Sequence, residues 1–389
     1  MGLLINKKKV YGGIRGLAYV DLFISLAGGL VTTIWALYID SFVHSDVLTG
    51  LVSGLLTFVS IVSYFLLIPL VERSDKGKLH AISLVLIALS YFVLTFNKSF
   101  LFFLFISIAV TIVYTIRIST FGIIVKDKSK KGKLAENEGF IYTFLNIGWL
   151  IGPLLAGYIA NLYGVEPIFF LGGVTAFAAF LLFKYWKIKD SHIKKRVDCN
   201  LIRNFIDFFK DRRRVLAYLI DGGSATWWVL IYLYMPLFII DKGLNELWVG
   251  YFLFGVAVPL IIFEYAFSKI TAKYGFKRIF KIGFISLAFF SLASYFISNT
   301  FLILLALIIA SFGMAFLEPM TEAYFLTLLK GDEASRFYGP FNTTRDVNQF
   351  ISKILASLML IFLPFKSIFL LFGAIMVLIF FLVFKIEEN

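Results

Sequence analysis

Nine ionisable side chains lie inside long apolar runs of this chain. Six are acids: Asp21, Asp221, Glu264, Glu318, Glu322 and Asp346. Three are bases: Arg117, Arg345 and Lys353. A charge in an apolar medium is costly, so it is kept for a purpose or paired. The chemistry open to such a set is proton carriage: a carboxyl group alone in a low dielectric holds its proton, and an approaching arginine makes it let go. A second use is binding a positively charged small molecule, for which Glu318 and Glu322, four residues apart on one helical face, are candidates. A third is structural, as satisfied ion pairs locking helices together.

No catalytic or metal-binding pattern accompanies these groups. His44, His80 and His192 are far apart and show no HExxH spacing. Cys199 is the single cysteine, which allows neither an intrachain disulfide nor a cysteine cage. No Walker A loop, GxSxG elbow or carboxylate–histidine cluster occurs. The expectation is a protein that is not an enzyme and needs no cofactor or metal, with a proton gradient as its energy source.

The elements that must position these residues are membrane helices. Of 389 residues 60% are apolar, against about 45–50% in soluble domains. A helix needs roughly 20 apolar residues to cross a bilayer. Reading long apolar runs between charged or Gly/Pro breaks gives twelve spans, at 16–39, 47–71, 80–96, 99–125, 138–162, 166–185, 215–240, 247–268, 279–298, 301–328, 338–363 and 366–384. Span 11 contains the polar run NTTRDVNQ. Without that run only about 21 Å of helix would remain, short of a core of about 30 Å. The polar residues are therefore expected inside the membrane, facing protein or water rather than lipid. Span 1 follows three lysines but is too long for a signal peptide and has no small-residue cleavage site, so it reads as a retained helix.

Lysine and arginine set the orientation. With the N-terminus in the cytoplasm, 31 of the 37 basic residues fall in cytoplasmic segments. Three, Lys98, Lys242 and Lys366, fall outside, and the other three are Arg117, Arg345 and Lys353. Both termini are expected in the cytoplasm of a multi-pass protein of the cell (plasma or inner) membrane. The net charge of +13 is then loop bias, not a sign of nucleic acid.

The two halves repeat at an offset near 200. RGLAYVD begins at Arg15 and RVLAYLID at Arg214; Phe169, Leu171 and Gly173 pair with Phe369, Leu371 and Gly373. The expected organisation is an N-terminal six-helix bundle (1–185), a basic cytoplasmic linker (186–214) and a C-terminal six-helix bundle (215–389). Leu201, Ile202, Phe205, Ile206, Phe208 and Phe209 give the linker an apolar helical face, which suits a helix lying on the inner membrane surface. Trp227, Trp228, Tyr232 and Tyr234 cluster in span 7, as cavity lining or as outward aromatics.

Span 5 carries Gly148-Trp-Leu-Ile-Gly152-Pro153-Leu-Leu-Ala156-Gly157. Small residues four apart let helix backbones approach closely, and Pro153 removes a backbone donor. This run, the 6+6 plan and the long central loop resemble the major facilitator superfamily, and the glycine pattern is similar to the G-x-x-x-G-P-x-x-G-G signature of its drug:proton antiporter branches, with Ala156 replacing one glycine. The family's loop pattern G-x-x-x-D-x-x-G-x-[KR]-[KR] has two degenerate copies. One keeps the acid as Glu72, followed by Arg73, but has Asp75 where glycine is expected; the other has Gly275, Lys277 and Arg278 but Ala272 at the acid position. Arg117 matches the arginine of the antiporter branches' span-4 motif.

The resemblance implies an all-α membrane fold of twelve helices in two pseudo-symmetric bundles, working by alternating access. It implies control of closure by Gly148, Gly152, Pro153 and Gly157, and cytoplasmic gating contacts at Glu72, Arg73, Gly275, Lys277 and Arg278. Asp21 and Arg117 fall at similar depths, roughly 9–14 Å above the inner boundary. Asp21 is the expected proton carrier with Arg117 its partner; Asp221, Glu318, Glu322, Arg345 and Asp346 complete the proton-coupling or substrate-binding set. Asp221, Glu322 and Arg345 are expected in one layer. Six acids against three bases favour a positive substrate. The function expected is proton-coupled export (antiport) of small amphipathic or cationic molecules by a monomer in the lipid bilayer, with small-molecule substrate and protons as its partners. The alternatives are proton-coupled uptake (symport) of a nutrient and a non-transporting receptor or assembly protein on the same fold.

Overall fold

The structure, a computed structural model, describes residues 2–129, 134–188, 201–330 and 333–387. Residues 189–200, with His192 and Cys199, and the side chains of Leu201, Ile202, Glu72 and Glu264 lie outside the described set. Among the described residues the regular elements are helices. The first half holds α1 (Gly2–Val43), α2 (Asp46–Arg73), α3 (Lys76–Thr95), α4 (Phe100–Lys128), α5 (Leu134–Tyr163) and α6 (Glu166–Tyr185). The linker forms α7 (Leu201–Lys210). The second half holds α8 (Arg212–Val229), a π-helical turn (Leu230–Tyr234), α9 (Met235–Asp241), α10 (Glu246–Tyr274), α11 (Phe276–Phe296), α12 (Thr300–Thr327), α13 (Glu333–Asn342), α14 (Thr344–Phe362) and α15 (Ile368–Val383).

Short polar signals start several of these helices. Asp75 caps α3 by accepting from the Lys78 amide at 2.9 Å. Two hundred residues later the same turn is built differently. Gly275 sits at φ +81°, a backbone state that suits glycine, whereas Asp75 stays extended at φ −67°. Asp211 caps α8 through the Arg213 amide at 2.8 Å, and Asn299 caps α12 through that of Leu302 at 3.2 Å.

Eleven helical stretches among the described residues are long and apolar enough to cross a membrane. The remaining expected span, 338–363, differs from a single helix. It breaks between α13 and α14, because Thr343 turns back on Pro340: its amide and its hydroxyl reach the Pro340 carbonyl at 3.3 and 2.7 Å. Three of the polar residues after the break, Thr344, Asn348 and Ser352, face protein in a ladder against α8, whereas Arg345 is exposed. Thr344 Oγ1 donates to the Tyr218 carbonyl at 2.7 Å, Asn348 lies on Gly222, and Ser352 and Thr226 share a hydrogen bond of 2.8 Å. Residues 344, 348 and 352 are spaced by four, as are 218, 222 and 226, so one face of each helix carries all three rungs.

The chain divides into two compact units. The first holds residues 1–38, 59–195 and 245–251; the second holds 39–58, 196–244 and 252–389. In the first, α3 packs against α4 and α6; in the second, α11 packs against α12 and α15. The repeat is visible atom by atom. A Cβ at Gly173 would lie 2.7 Å from Phe92, and one at Gly373 would lie 2.6 Å from Leu292. Both partners are again 200 residues apart, so a small residue receives a large one at the same place in each unit.

Helix α7 docks within the second unit through Phe208, which is fully buried against Tyr218, Phe325 and Phe337. Ile206 and Phe209 remain exposed. The apolar face is thus shared between protein packing and a free side, where the sequence suggested a surface-lying helix. Asp207 fixes the docking by accepting from Lys210 at 3.0 Å and Arg336 at 2.8 Å. The Lys210 bond above all, then that of Arg336, holds its carboxyl below the usual range. A carboxyl depressed in the folded state contributes fully above its unfolded pKa, and the contribution is lost as pH falls through the folded one. Protection of the α7 amides from hydrogen exchange is therefore expected to be constant at neutral pH and to drop below about pH 4. Asp207→Asn is expected to lower protection at neutral pH and to remove this acid step.

Candidate functional site

In the first unit the charged residues meet. Asp21 on α1 is 1% exposed and forms an ion pair with Arg117 of α4. Each residue stands in the middle of an apolar helix, so the pairing is set by how the two helices are rotated about their axes. Arg117 also lies over the Phe121 ring, with Cζ 5.1 Å from the centroid. Its Nε has no hydrogen-bond partner among the described residues.

His80 joins this cluster, a residue that spacing arguments set aside because it has no second ligand beside it. It is fully buried on α3, with Nδ1 3.1 Å from Thr120 Oγ1 and its ring stacked on Phe121 at 5.6 Å. The Thr120 hydroxyl has one proton and two carbonyls in reach, those of Ile116 at 2.9 Å and Arg117 at 3.0 Å. This network assigns the imidazole proton to Nδ1 and leaves the Nε2 lone pair bare, and Nε2 indeed has no partner among the described residues. His80 and Arg117 thus share one support, Phe121. His80→Ala leaves a hole behind that ring and is expected to cost about 2–4 kcal/mol of stability. His80→Leu nearly keeps the volume and loses one hydrogen bond, for about 1 kcal/mol. Thermal unfolding of the two variants separates packing from hydrogen bonding. The signal that could have found His80 is its position within an apolar run, the criterion applied to the other ionisable residues.

In the second unit the same chain positions are used differently. Asp221, the counterpart of Asp21, accepts a 2.6 Å hydrogen bond from Thr321 on α12. Arg345 reaches Glu318 at 3.5 Å, with side chains 63% and 33% exposed. Glu322 accepts from the Tyr338 hydroxyl at 2.5 Å. Asp221, Glu322 and Arg345, expected in one layer, act on one another through space at Asp221, while each makes its direct contact with another group. Asp346 lies in the first turn of α14, where a carboxylate complements the helix dipole. Tyr234 and Trp227 are fully buried, while the Trp228 ring lies tilted against that of Tyr232, with centroids 5.3 Å apart. The π-helical turn at Leu230–Tyr234 lies in this aromatic run, and Tyr234 donates to the Lys353 carbonyl at 3.3 Å.

The glycines of α5 touch backbone. A Cβ at Gly148 would lie 2.7 Å from the Leu26 amide nitrogen, and one at Gly152 would lie 2.8 Å from Gly29 Cα, both on α1. Gly157 lies against Gly250 of α10, also within the first unit; its Cβ would meet Gly250 Cα at 2.7 Å. Pro153 presents its carbonyl to Gly250. In the second unit the counterparts of Gly148, Gly152 and Gly157 are Asn348, Ser352 and Ser357. Close backbone contact in one unit is replaced by polar side chains in the other.

Of the expected gating residues, Lys277 donates to the Ile386 carbonyl at 2.7 Å, and Arg73 and Arg278 are exposed. Among the described residues no group of three His, Cys, Asp or Glu side chains is placed to hold a metal.

A fold of this kind is found in known transporters. A solved POT-family transporter in complex with 5-aminolevulinic acid aligns with a TM-score of 0.79 at 11% identity, over 96% of this chain and 95% of that one. The nucleoside transporter NupG aligns with a TM-score of 0.77 at 13% identity, over 96% of this chain and 100% of that one. At such identities the likeness is one of fold. An uncharacterised MFS-type transporter of Methanocaldococcus jannaschii is 24% identical over 348 residues, 86% of this chain and 88% of that protein. The family model described as Major Facilitator Superfamily matches residues 17–352. Helices long enough to cross a membrane, charges buried inside them and a family match over most of the length agree: the chain belongs to the Major Facilitator Superfamily and is a multi-pass membrane transporter.

Proposed function

We propose that this transporter is a proton-coupled exporter of small amphipathic or cationic molecules, with Asp21 as the proton carrier and Arg117 as the partner that competes with the proton. The observation that carries this reading is the ion pair of Asp21 and Arg117, buried in the apolar interior of the first unit. Protonating Asp21 releases Arg117; deprotonation restores the pair, so the proton is exchanged for a change in helix contact. The surplus of acids over bases inside the spans supports a positive substrate. The α5 glycine pattern supports antiport. No cofactor is involved, the proton gradient supplies the energy, and the chain works as a monomer. Its place is the cell membrane with both termini cytoplasmic, a reading supported by the distribution of lysine and arginine. Two six-helix halves, 1–185 and 215–389, work by alternating access.

Proton-linked uptake is the second reading, and one observation favours it: solved proteins of similar fold include a POT-family transporter in complex with a conjugated peptide or with 5-aminolevulinic acid, and a nucleoside transporter. Proteoliposomes with an imposed pH gradient separate the two. Under export, a lipophilic cation moves against the proton flow and its accumulation collapses with a protonophore. Movement of a nutrient together with protons selects uptake. Transport indifferent to the gradient overturns both.

A further inference from the structure

We infer that Lys353 forms an anion subsite of this transporter, which takes the carboxylate of a small apolar or aromatic substrate. The inference goes beyond the proposed function: it rests on the chain carrying small molecules and gives them an acidic group, which the surplus of acids did not suggest.

Lys353 lies in α14, half-buried, and its ammonium donates to Thr57 Oγ1 of α2 at 2.8 Å. Both residues belong to the second unit. Thr57 is itself buried, and its own proton is directed at the Ser53 carbonyl at 2.9 Å. The lysine therefore meets a neutral oxygen. No ion pair among the described residues includes Lys353, and the carboxylate that acts on it, Asp346, does so through space from two helical turns away. An ammonium has three donors, and Thr57 takes one.

Tethering helices does not explain a charge here. Apart from the exposed Arg345, which reaches Glu318, the same helix is tied to its neighbours by neutral groups: Thr344 and Ser352 to α8, and Ser357 next to the Tyr234 hydroxyl at 3.5 Å. A glutamine or serine at 353 would serve that end without an ion to desolvate. Nor does the shared fold require it, since the counterpart 200 residues earlier is Pro153. What the position has in addition is an apolar wall. Phe350, one turn below Lys353, and Phe58, next to Thr57, stand with ring centroids 5.6 Å apart. A cation without a counter-ion beside two aromatic rings fits an anion that carries an apolar body.

The test uses the purified full-length protein and two probes of equal shape and opposite charge, benzoate and benzylamine. Thermal unfolding is followed for the wild type, Lys353→Met and Lys353→Arg. Without a probe, Lys353→Met is expected to unfold about 2–4 °C above the wild type, because it removes an uncompensated ion. Benzoate at about ten times a millimolar dissociation constant is expected to raise the wild-type midpoint by about 1–2 °C. It is expected to raise that of Lys353→Arg less, and to leave Lys353→Met where it was. Benzylamine is expected to make no such distinction. The inference is overturned if Lys353→Met is less stable than the wild type to the degree that Thr57→Val is, which would make the pair a tether. It is overturned equally if benzoate shifts the wild type and Lys353→Met alike, or shifts neither. Should Lys353→Met fail to fold, Lys353→Gln carries the same expectations, and failure of both counts against the subsite. Because no proton gradient enters the measurement, its failure is distinct from a failure of the proton pair.

Discussion

Asp21→Asn is expected to reduce substrate-driven proton flux in liposomes to the level of empty vesicles, while substrate exchange without a gradient persists. The asparagine keeps the size of the side chain and one acceptor oxygen, but it carries no charge and takes up no proton. Its second effect is on Arg117, which loses its counter-ion in a place where its side chain is 11% exposed. Leaving one partner of a buried pair uncompensated costs about 3–5 kcal/mol. A double variant, Asp21→Asn with Arg117→Gln, is expected to recover part of that stability without recovering coupling. Thermal unfolding and proton flux then report on different things. The contrast is Glu318 and Arg345. They are 3.5 Å apart but 33% and 63% exposed, and such a pair contributes about 0–1 kcal/mol. Glu318→Gln is accordingly expected to change stability little. Coupled flux that survives Asp21→Asn unchanged would sink the assignment of Asp21 as the carrier.

Gly152→Ala is expected to have the second largest effect, out of proportion to its single added methyl group. The new Cβ would stand 2.8 Å from Gly29 Cα, where carbon atoms in contact prefer about 3.5–4.0 Å. The obstacle is helix backbone, which cannot turn aside as a side chain can, so α1 and α5 must separate along their length. Overpacking of this kind costs about 1–3 kcal/mol, and Gly152→Leu should exceed that range and leave little folded protein. Gly148 faces the Leu26 amide in the same way and is expected to follow it. Gly122 and Gly139 supply the control, since nothing lies within 4 Å of a Cβ at either. Gly122→Ala is expected to be neutral or to stabilise by up to about 1 kcal/mol through helix propensity. Unfolding midpoints of the four variants decide the matter: equal behaviour of Gly152→Ala and Gly122→Ala would remove the argument from backbone contact.

The α5 glycines also show how two copies of one unit diverge. Gly148 lies against Leu22 and Leu26 in the first unit, whereas in the second the small residue has moved to α8: Gly222 receives Asn348. A close approach of the two helices is kept while the side that carries the glycine is reversed. The second unit gains the polar ladder of Thr344, Asn348 and Ser352 by this exchange, which accounts for NTTRDVNQ standing in an otherwise apolar span.

The sequence by itself determined the class of protein, eleven of the twelve expected spans and the charges that stand within apolar runs. These are sums over local stretches: apolar length, the placing of lysine and arginine, and the recurrence of residues at one offset. Such sums hold whatever the neighbouring helices do. Depth is local as well, so Asp21 and Arg117 were legible as one level of the membrane. Tertiary structure alone decided which charges touch. It gave Asp221 the Thr321 hydroxyl, turned Arg345 to Glu318, set His80 behind Phe121 and left Lys353 with Thr57. It also split 338–363 at Thr343, through a turn onto Pro340 that a hydropathy window does not register. The physical reason is common to all of these. A hydrogen bond or ion pair is made over a few ångströms, and whether two side chains come that close depends on the rotation of each helix about its axis and on the register between helices. Those two quantities are set by the packing of whole helices against one another, and no single stretch of sequence contains them.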